Sequence, residues 1–152
     1  MPHRDNESTA ARAARDGEAP ALAALWEACG LTRPWNDPAR DFAFALAGPA
    51  SEVLVIEREG RIAASVMVGH DGHRGAVYYV AVDPALRGQG LGRAIMAAAE
   101  HWLRERGVWK LNLMVRTGNE GATGFYAALG YGTDAVSVMS KRLTPAPHAV
   151  AD

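Results

Sequence analysis

Short runs of β-branched and aromatic residues mark the predicted strands of this 152-residue chain. Three such runs follow one another, at residues 53–57, 62–69 and 77–82. The turn dipeptides Glu59-Gly60 and Asp71-Gly72 separate them, and Asp83-Pro84 closes the third run. The pattern therefore predicts three adjacent antiparallel strands.

Apolar residues recur with helical spacing in four further segments. Two precede the strands: Ala19–Cys29, and a segment to which Asp37-Pro38 supplies an N-cap and a first-turn proline. Two follow the strands. In the longer segment one helical face carries Leu91, Ile95, Ala98 and Trp102. In the shorter segment one face carries Ala122, Phe125 and Leu129.

Three weaker patterns complete the predicted sheet, at Thr9–Ala14, Lys110–Arg116 and Ala135–Leu143. The resulting order, β1-α1-α2-β2-β3-β4-α3-β5-α4-β6, predicts an α/β fold with a mixed sheet. The length favours a single domain over residues 9–143. Polar residues 1–8 predict a disordered extension, and residues 144–152 predict a flexible tail.

Composition excludes several classes of protein. The net charge of −1 gives no support for nucleic-acid or membrane-surface binding, and no apolar run approaches a membrane span. The one cysteine, Cys29, cannot form an internal disulfide, which favours a cytoplasmic protein. His70 and His73 lack further ligands at usable spacing, so no metal site is predicted.

The candidate chemistry lies between the third strand and the long helix. There the sequence Arg87-Gly88-Gln89-Gly90-Leu91-Gly92 leaves main-chain amides uncovered beside a helix N-terminus, which favours phosphate binding. The spacing differs from a dinucleotide fingerprint, because Arg93 stands where the last glycine is needed. No Gly-Lys-Ser/Thr tripeptide is present either. A tight turn without a ligand is the alternative.

This segment, written Arg87-x-x-Gly90-x-Gly92 after a strand ending Val82-x-Pro84, resembles the acetyl-CoA pyrophosphate loop of the GNAT-superfamily N-acetyltransferases. The resemblance spans roughly residues 12–143. Trp35-Asn36-Asp37-Pro38, residues 71–75 and Tyr78-Tyr79 also resemble the bacterial YpeA-type branch. The resemblance implies the GNAT fold, acetyl-CoA as co-substrate and no metal.

The resemblance also implies roles for individual residues. Main-chain groups of Val80 and Val82 would pair with pantetheine, and the Val82 amide would donate to the oxyanion. Tyr126 would protonate the departing thiolate, with a partly exposed structural tyrosine as the alternative. The implied cofactor-binding residues are Val80, Val82, Arg87, Gly88, Gln89, Gly90, Leu91, Gly92, Asn119 and Tyr126. Arg87 could equally be a solvated loop residue, and Asn119 could also be a helix N-cap.

The general base and the acceptor site are less defined. The central strand has no carboxylate before Asp83, which itself reads as a turn residue. Candidates for the base are Tyr79, His70 and His73, with water chains as an alternative. Candidates to line the acceptor site are Trp35, Asn36, Tyr78 and Met114. Asp37, Asp41 and Asp71 could attract a cationic amine.

The sequence therefore predicts an N-acetyltransferase that moves an acetyl group to a primary amine, with a small molecule or amino acid favoured over a protein amine. Cys29 lies on a helix stripe, which favours direct transfer in a ternary complex over a covalent intermediate. A non-catalytic acyl-CoA-binding regulator and a nucleotide-binding module are the alternatives. The chain is expected to act as a monomer or a homodimer.

Overall fold

The computed structural model describes residues 9–145, so the predicted extension at 1–8 and residues 146–152 of the predicted tail lie outside it. The helices are α1 (Ala19–Ala28), α2 (Pro38–Ala47), α3 (Leu91–Glu105) and α4 (Glu120–Ala128). The strands are β1 (Arg12–Ala13), β2 (Ser51–Arg58), β3 (Arg61–His70), β4 (Gly75–Val82) and β5 (Leu111–Asn112). Within residues 9–145, no helix has the length and apolar content that crossing a bilayer requires.

One sheet joins the five strands in the order β1-β2-β3-β4-β5. β1 to β4 are antiparallel, and β4 pairs with β5 in parallel. Glu59 and Gly60 both have positive φ angles, 51° and 73°, as a tight hairpin between β2 and β3 requires. The predicted α/β class with a mixed sheet is confirmed.

Helices cover both faces of the sheet. On one face α3 packs against β3 and β4, and Leu91, Ile95 and Trp102 are buried as their spacing predicts. On the other face α1 and α2 bury Trp26 and Phe42 against the central strands. Asp37 caps α2 by accepting the backbone N–H of two first-turn residues, as predicted. The sheet is therefore held rigidly between two apolar layers.

A β-bulge interrupts the central strand β4. Ala81 pairs with Ser65 and Tyr78 pairs with Met67, so two residues of β4, Tyr79 and Val80, lie opposite one residue of β3. Tyr79 has a φ of 51°, which is uncommon for a residue with a side chain.

Buried hydrogen bonds hold this bulge. The indole N–H of Trp26 donates to the Ser65 hydroxyl at 2.8 Å. The Ser65 hydroxyl donates to the main-chain carbonyl of Tyr79 at 2.9 Å. Ser65 and Trp26 have no exposed surface, so each of these polar groups depends on the others for a partner.

β4 and β5 separate after Ala76, before the chain reaches the bulge. Their parallel pairing is limited to Gly75 with Leu111 and Ala76 with Asn112. From Val77 to Val82 the edge of β4 that faces β5 has no strand beside it among the described residues. The two strands therefore diverge and leave an opening along β4.

Three predicted strands are shorter than expected or absent. β1 and β5 have two residues each, where six and seven were predicted. The predicted last strand, Ala135–Leu143, is wrong: these residues join no strand pair, and Val136, Val138 and Met139 are 78%, 68% and 94% exposed. Because β5 leaves β4 after Asn112, the following chain meets no regular edge with which to pair.

Candidate active site

The glycine-rich segment between β4 and α3 carries a row of backbone amides without partners. Gly88 and Gly90 have φ angles of 80° and 78°, which a side chain would strain. Gly90 is the N-cap of α3 and has no side chain to cap it. Among residues 9–145, no acceptor pairs with the backbone N–H groups of residues 88–93. These amides and the helix N-terminus form a site suited to a phosphate group.

Helix α4 packs against this loop. A Cβ added at Gly92 would lie 3.0 Å from the Phe125 ring, so glycine permits the close approach of α3 and α4. Asn119 caps α4 by accepting the Ala122 N–H at 3.1 Å. Its amide NH₂ has no protein partner among the described residues. Arg87 is exposed beside the loop.

Tyr126 follows Phe125 on α4 and stands among aromatic rings. Its ring makes edge contacts with Phe125 at 5.0 Å and Tyr131 at 5.8 Å between centroids. Burial raises the pKa of the Tyr126 phenol above its ordinary value. The hydroxyl of Tyr131 donates to Glu100 at 2.7 Å, whereas that of Tyr126 has no hydrogen-bond partner in residues 9–145. Of these two phenols, Tyr126 is therefore the one that is available to a ligand.

The main chain of Val82 faces the opening between β4 and β5. The next amide, that of Asp83, donates to Ala63 of β3. Because main-chain groups alternate between the two edges of a strand, the Val82 amide and carbonyl point to the opposite edge. The Cys29 thiol lies 3.2 Å from that carbonyl. Val82 pairs with Ala64 of β3 at its inner edge, and its outer edge, near the loop, has no strand beside it among the described residues.

A cavity of about 800 Å³ lies beside the bulge, between α2, β3 and β4. Apolar and aromatic groups supply much of its wall, among them Leu31, Phe44, Met67 and Tyr78. Its polar groups include Asn36, Asp41, Tyr79, Arg74 and Asn112. An apolar cavity with a few convergent polar groups is typical of a small-molecule site.

Tyr79 points across this cavity to α2. Its hydroxyl donates to the Asp41 carboxylate at 2.6 Å, and its ring stacks on Trp26 with 3.9 Å between centroids. Burial first, and then the Asp41 carboxylate, raises the pKa of the Tyr79 phenol well above its ordinary value. A phenol that stays protonated and already donates to a carboxylate is poorly suited to accept a proton from an amine.

His70 is the last residue of β3 and lines the cavity, whereas His73 lies in the turn between β3 and β4. His70 Nδ1 accepts the backbone N–H of Gly72 at 3.1 Å, and the ring lies 6.1 Å from that of Trp102. His73 is exposed and does not line the cavity. The Asp71 carboxylate accepts the N–H groups of His73 and Arg74, as a turn residue does. Residues 9–145 hold no cluster of three or more His, Cys, Asp or Glu side chains suited to a metal ion.

The structure gathers only part of the predicted acceptor set. Asn36 and Tyr78 line the cavity, whereas Trp35 and Met114 do not and are 41% and 58% exposed. Sequence reasoning gave no site role to Phe44, Arg74 or Asn112. No local pattern marks these residues, because only the packing of α2 and the β3–β4 turn on the sheet brings them together.

Comparisons with known proteins agree with this geometry. The sequence profile described as Acetyltransferase (GNAT) family matches residues 15–131. A curated acetyltransferase of Yersinia enterocolitica is 45% identical over 119 residues, which are 78% of this chain and 84% of that protein.

Two solved structures are similar in fold. The ribosomal-protein-S18-alanine N-acetyltransferase of Escherichia coli has a TM-score of 0.68 at 26% identity, over 80% of this chain and 76% of that one. A predicted acetyltransferase of Clostridium acetobutylicum, solved with acetyl-CoA, has a TM-score of 0.73 at 16% identity, over 87% and 95% of the two chains.

Proposed function

The chain belongs to the GNAT family of acetyltransferases, and on that premise we propose that it moves an acetyl group from acetyl-CoA to a primary amine by direct transfer in a ternary complex. The predicted GNAT fold is confirmed by the similar structures. The E. coli structure is named for N-acetylation of an alanine, and the Clostridium structure contains acetyl-CoA. The first supports the proposed amine acceptor, and the second supports acetyl-CoA as the proposed co-substrate.

The observation that carries the proposal is the row of free amides at residues 88–93. Six consecutive main-chain donors at a helix N-terminus are costly to leave without an acceptor unless solvent or a ligand supplies one. The diphosphate of coenzyme A supplies several acceptor oxygens with negative charge. The exposed guanidinium of Arg87 adds positive charge beside them.

The opening along β4 fits the rest of the coenzyme. A pantetheine arm can pair with the free main-chain edge near Val80 and Val82 in the manner of an added strand. The bound coenzyme supplies an activated thioester. The Val82 amide then donates to the carbonyl oxygen as negative charge develops there, and the chain supplies this donor without reorganisation.

Tyr126 completes the proposed chemistry. The neutral amine forms a bond to the carbonyl carbon as the carbon–sulfur bond breaks, and the Tyr126 phenol gives its proton to the leaving sulfur. The proton lost by the amine passes to solvent or to a base. Cys29 contacts the Val82 carbonyl and lies on the inner side of α1, so no acyl-cysteine step is proposed.

A second function, acyl-CoA binding without turnover, is favoured by one observation: β4 carries no carboxylate, and the Tyr79 phenol is held protonated. Release of free thiol separates the two. The protein is incubated with acetyl-CoA and a panel of primary amines, and thiol is measured against an amine-free control. The proposal predicts amine-dependent release. Tight acetyl-CoA binding with no release for any amine would instead support the regulator.

A further inference from the structure

The cavity beside the bulge contains a carboxylate with no cation to balance it. Asp41 lies on the first turns of α2 and is half-buried. The one hydrogen-bond partner of its carboxylate in residues 9–145 is the Tyr79 hydroxyl, and no lysine, arginine or histidine there forms an ion pair with that carboxylate. A partly desolvated charge is stabilised when an opposite charge joins it.

We propose that Asp41 binds a cationic group of the acceptor that is distinct from the reacting amine, so that the acceptor class is a diamine or another basic amine. This inference rests on the proposed acetyl transfer and specifies its acceptor. The charge recognised is a second ammonium or a guanidinium. The cavity therefore selects acceptors that carry a second positive charge several bonds away from the nitrogen that is acetylated.

The β4 bulge orients the Tyr79 and Asp41 side chains toward the cavity. The positive φ of Tyr79 turns its side chain toward the helical layer, where stacking on Trp26 of α1 fixes the ring and the hydroxyl meets one oxygen of Asp41 on α2. The other Asp41 oxygen has no donor among the described residues. The phenol is a neutral donor, so the pair retains one full negative charge to offer to a ligand.

The cationic group must differ from the reacting one. An ammonium held against a carboxylate keeps its proton more firmly, and a protonated amine cannot attack the thioester. Asp41 is therefore placed to hold charge rather than to prepare the nucleophile. A chain of a few carbon atoms between two nitrogens satisfies both requirements.

The walls suit such a chain. Tyr78 is 50% exposed and Phe44 is 84% exposed, and both rings border the cavity with Met67. Aliphatic carbons pack on these groups, and aromatic rings attract cations. The other charges on the wall have partners: Asp71 accepts two backbone N–H groups, and the Arg74 guanidinium lies 4.5 Å from the centroid of the Trp109 ring. Asp71 is exposed to solvent as well, so among the carboxylates of this wall Asp41 is the one that is partly buried and accepts no backbone N–H.

Calorimetry tests the proposal without requiring turnover. Putrescine, a four-carbon diamine that is a dication near neutral pH, and 1,4-butanediol, the uncharged diol of the same length, are titrated into the full chain. We expect putrescine to bind about two- to fivefold more tightly, as one charge pair in a partly exposed site allows. Asp41→Asn, which keeps an acceptor for Tyr79, should abolish this ratio. Glu27→Gln removes one charge from the exposed face of α1 and should preserve it.

Turnover gives a second readout. With acetyl-CoA present, wild-type protein should show a higher kcat/KM for putrescine than for n-butylamine, and Asp41→Asn should lose the preference while retaining turnover of the monoamine. Equal binding of putrescine and 1,4-butanediol by the wild type, or an unchanged binding ratio in Asp41→Asn, would overturn the proposal. An equal fall in kcat for both amines would also overturn it, because Asp41 would then serve the chemistry. Absence of thiol release for every amine contradicts the proposed transfer alone, since the binding ratio stands apart from it.

Discussion

The loop at residues 87–92 and the cavity beside α2 both adjoin strand β4, but they are formed from different parts of the chain. The loop uses main-chain amides that follow one another in sequence, with glycines that leave them uncovered. The cavity uses side chains drawn from α2, β3, β4 and the turn between them. A cofactor site made of consecutive backbone can be recognised from six residues, whereas an acceptor site made of distant side chains depends on the whole fold.

The β4 bulge joins the two sites. It lies next to the main-chain edge at Val82, which β5 leaves open, and it turns the Tyr79 phenol toward Asp41. One local distortion, held by Ser65 and Trp26, therefore positions both the proposed coenzyme edge and the proposed cation site.

The largest expected effect is on the loop backbone. Gly90→Val places a β-branched residue at a φ of 78° and should displace the amides around it. Loss of two charge-assisted hydrogen bonds costs about 3 kcal/mol, so the acetyl-CoA Kd measured by calorimetry should rise about a hundredfold. Gly17→Ala, at an open position with no positive φ, is the control and should leave the Kd unchanged. Unaltered affinity in folded Gly90→Val protein would show that the loop does not hold the coenzyme.

Tyr126→Phe should lower kcat about a hundredfold with little change in the acetyl-CoA Kd, because it removes a proton donor and keeps the ring. Tyr131→Phe, which loses a phenol bound to Glu100, is the matched control and should have a smaller effect on kcat. Steady-state kinetics with a saturating amine measure both. A Tyr126→Phe variant with full kcat would rule out the acid role.

The pH profile sharpens the same assignment. Burial raises the pKa of Tyr126 above its ordinary value of 10.0, so the phenol stays protonated through neutral and mildly alkaline pH. An acid with a raised pKa loses activity only as the pH rises past it. We therefore expect kcat to show no Tyr126-dependent decline below about pH 10. A decline near neutral pH that disappears in Tyr126→Phe would contradict this assignment.

Ser65→Ala tests the bulge that links the two regions. The variant leaves the Trp26 indole N–H and the Tyr79 carbonyl without their buried partner, which should cost about 1–3 kcal/mol of unfolding free energy. Urea denaturation measures this. Ser51→Ala removes one hydrogen bond to Ala45, at a partly buried site, and should cost less. Equal losses of unfolding free energy in the two variants would show that the Ser65 hydrogen bonds stabilise the fold no more than the single Ser51 hydrogen bond does.

The smallest effect is expected for Arg87→Ala. If backbone amides carry most of the binding, removing one exposed guanidinium should weaken acetyl-CoA only about threefold, and added salt should shrink the difference. Calorimetry at two salt concentrations measures it. A loss of acetyl-CoA affinity as large as that of Gly90→Val would show that the Arg87 side chain, rather than the backbone amides, contributes most of the binding.

Where local pattern and packing agree, the sequence predicted the structure well. The helices α1 and α2, the β2–β3 hairpin and the buried stripe of α3 follow from apolar spacing, caps and turn residues. The Asp37 cap was also predicted. These features depend on residues that are near one another in the chain.

Prediction was poorest where tertiary contacts decide. The segment 135–143 has apolar alternation but no strand partner, because β5 departs from β4 after Asn112. The bulge at Tyr79 has no sequence signature, since its cause is the Trp26–Ser65 network on neighbouring elements. Asp41 could be named as a charge that attracts amines, but its pairing with Tyr79 could not be foreseen.

The proposed function depends on the amides of residues 88–93, which we propose hold the diphosphate of coenzyme A. Calorimetry with acetyl-CoA and with S-acetylpantetheine, which has the same thioester arm without the diphosphate and nucleotide, tests it most directly. We predict a saturable acetyl-CoA isotherm that weakens in Gly90→Val, and no measurable binding of S-acetylpantetheine. Equal binding of the two compounds, or no heat with acetyl-CoA and folded protein, would contradict diphosphate binding by these amides.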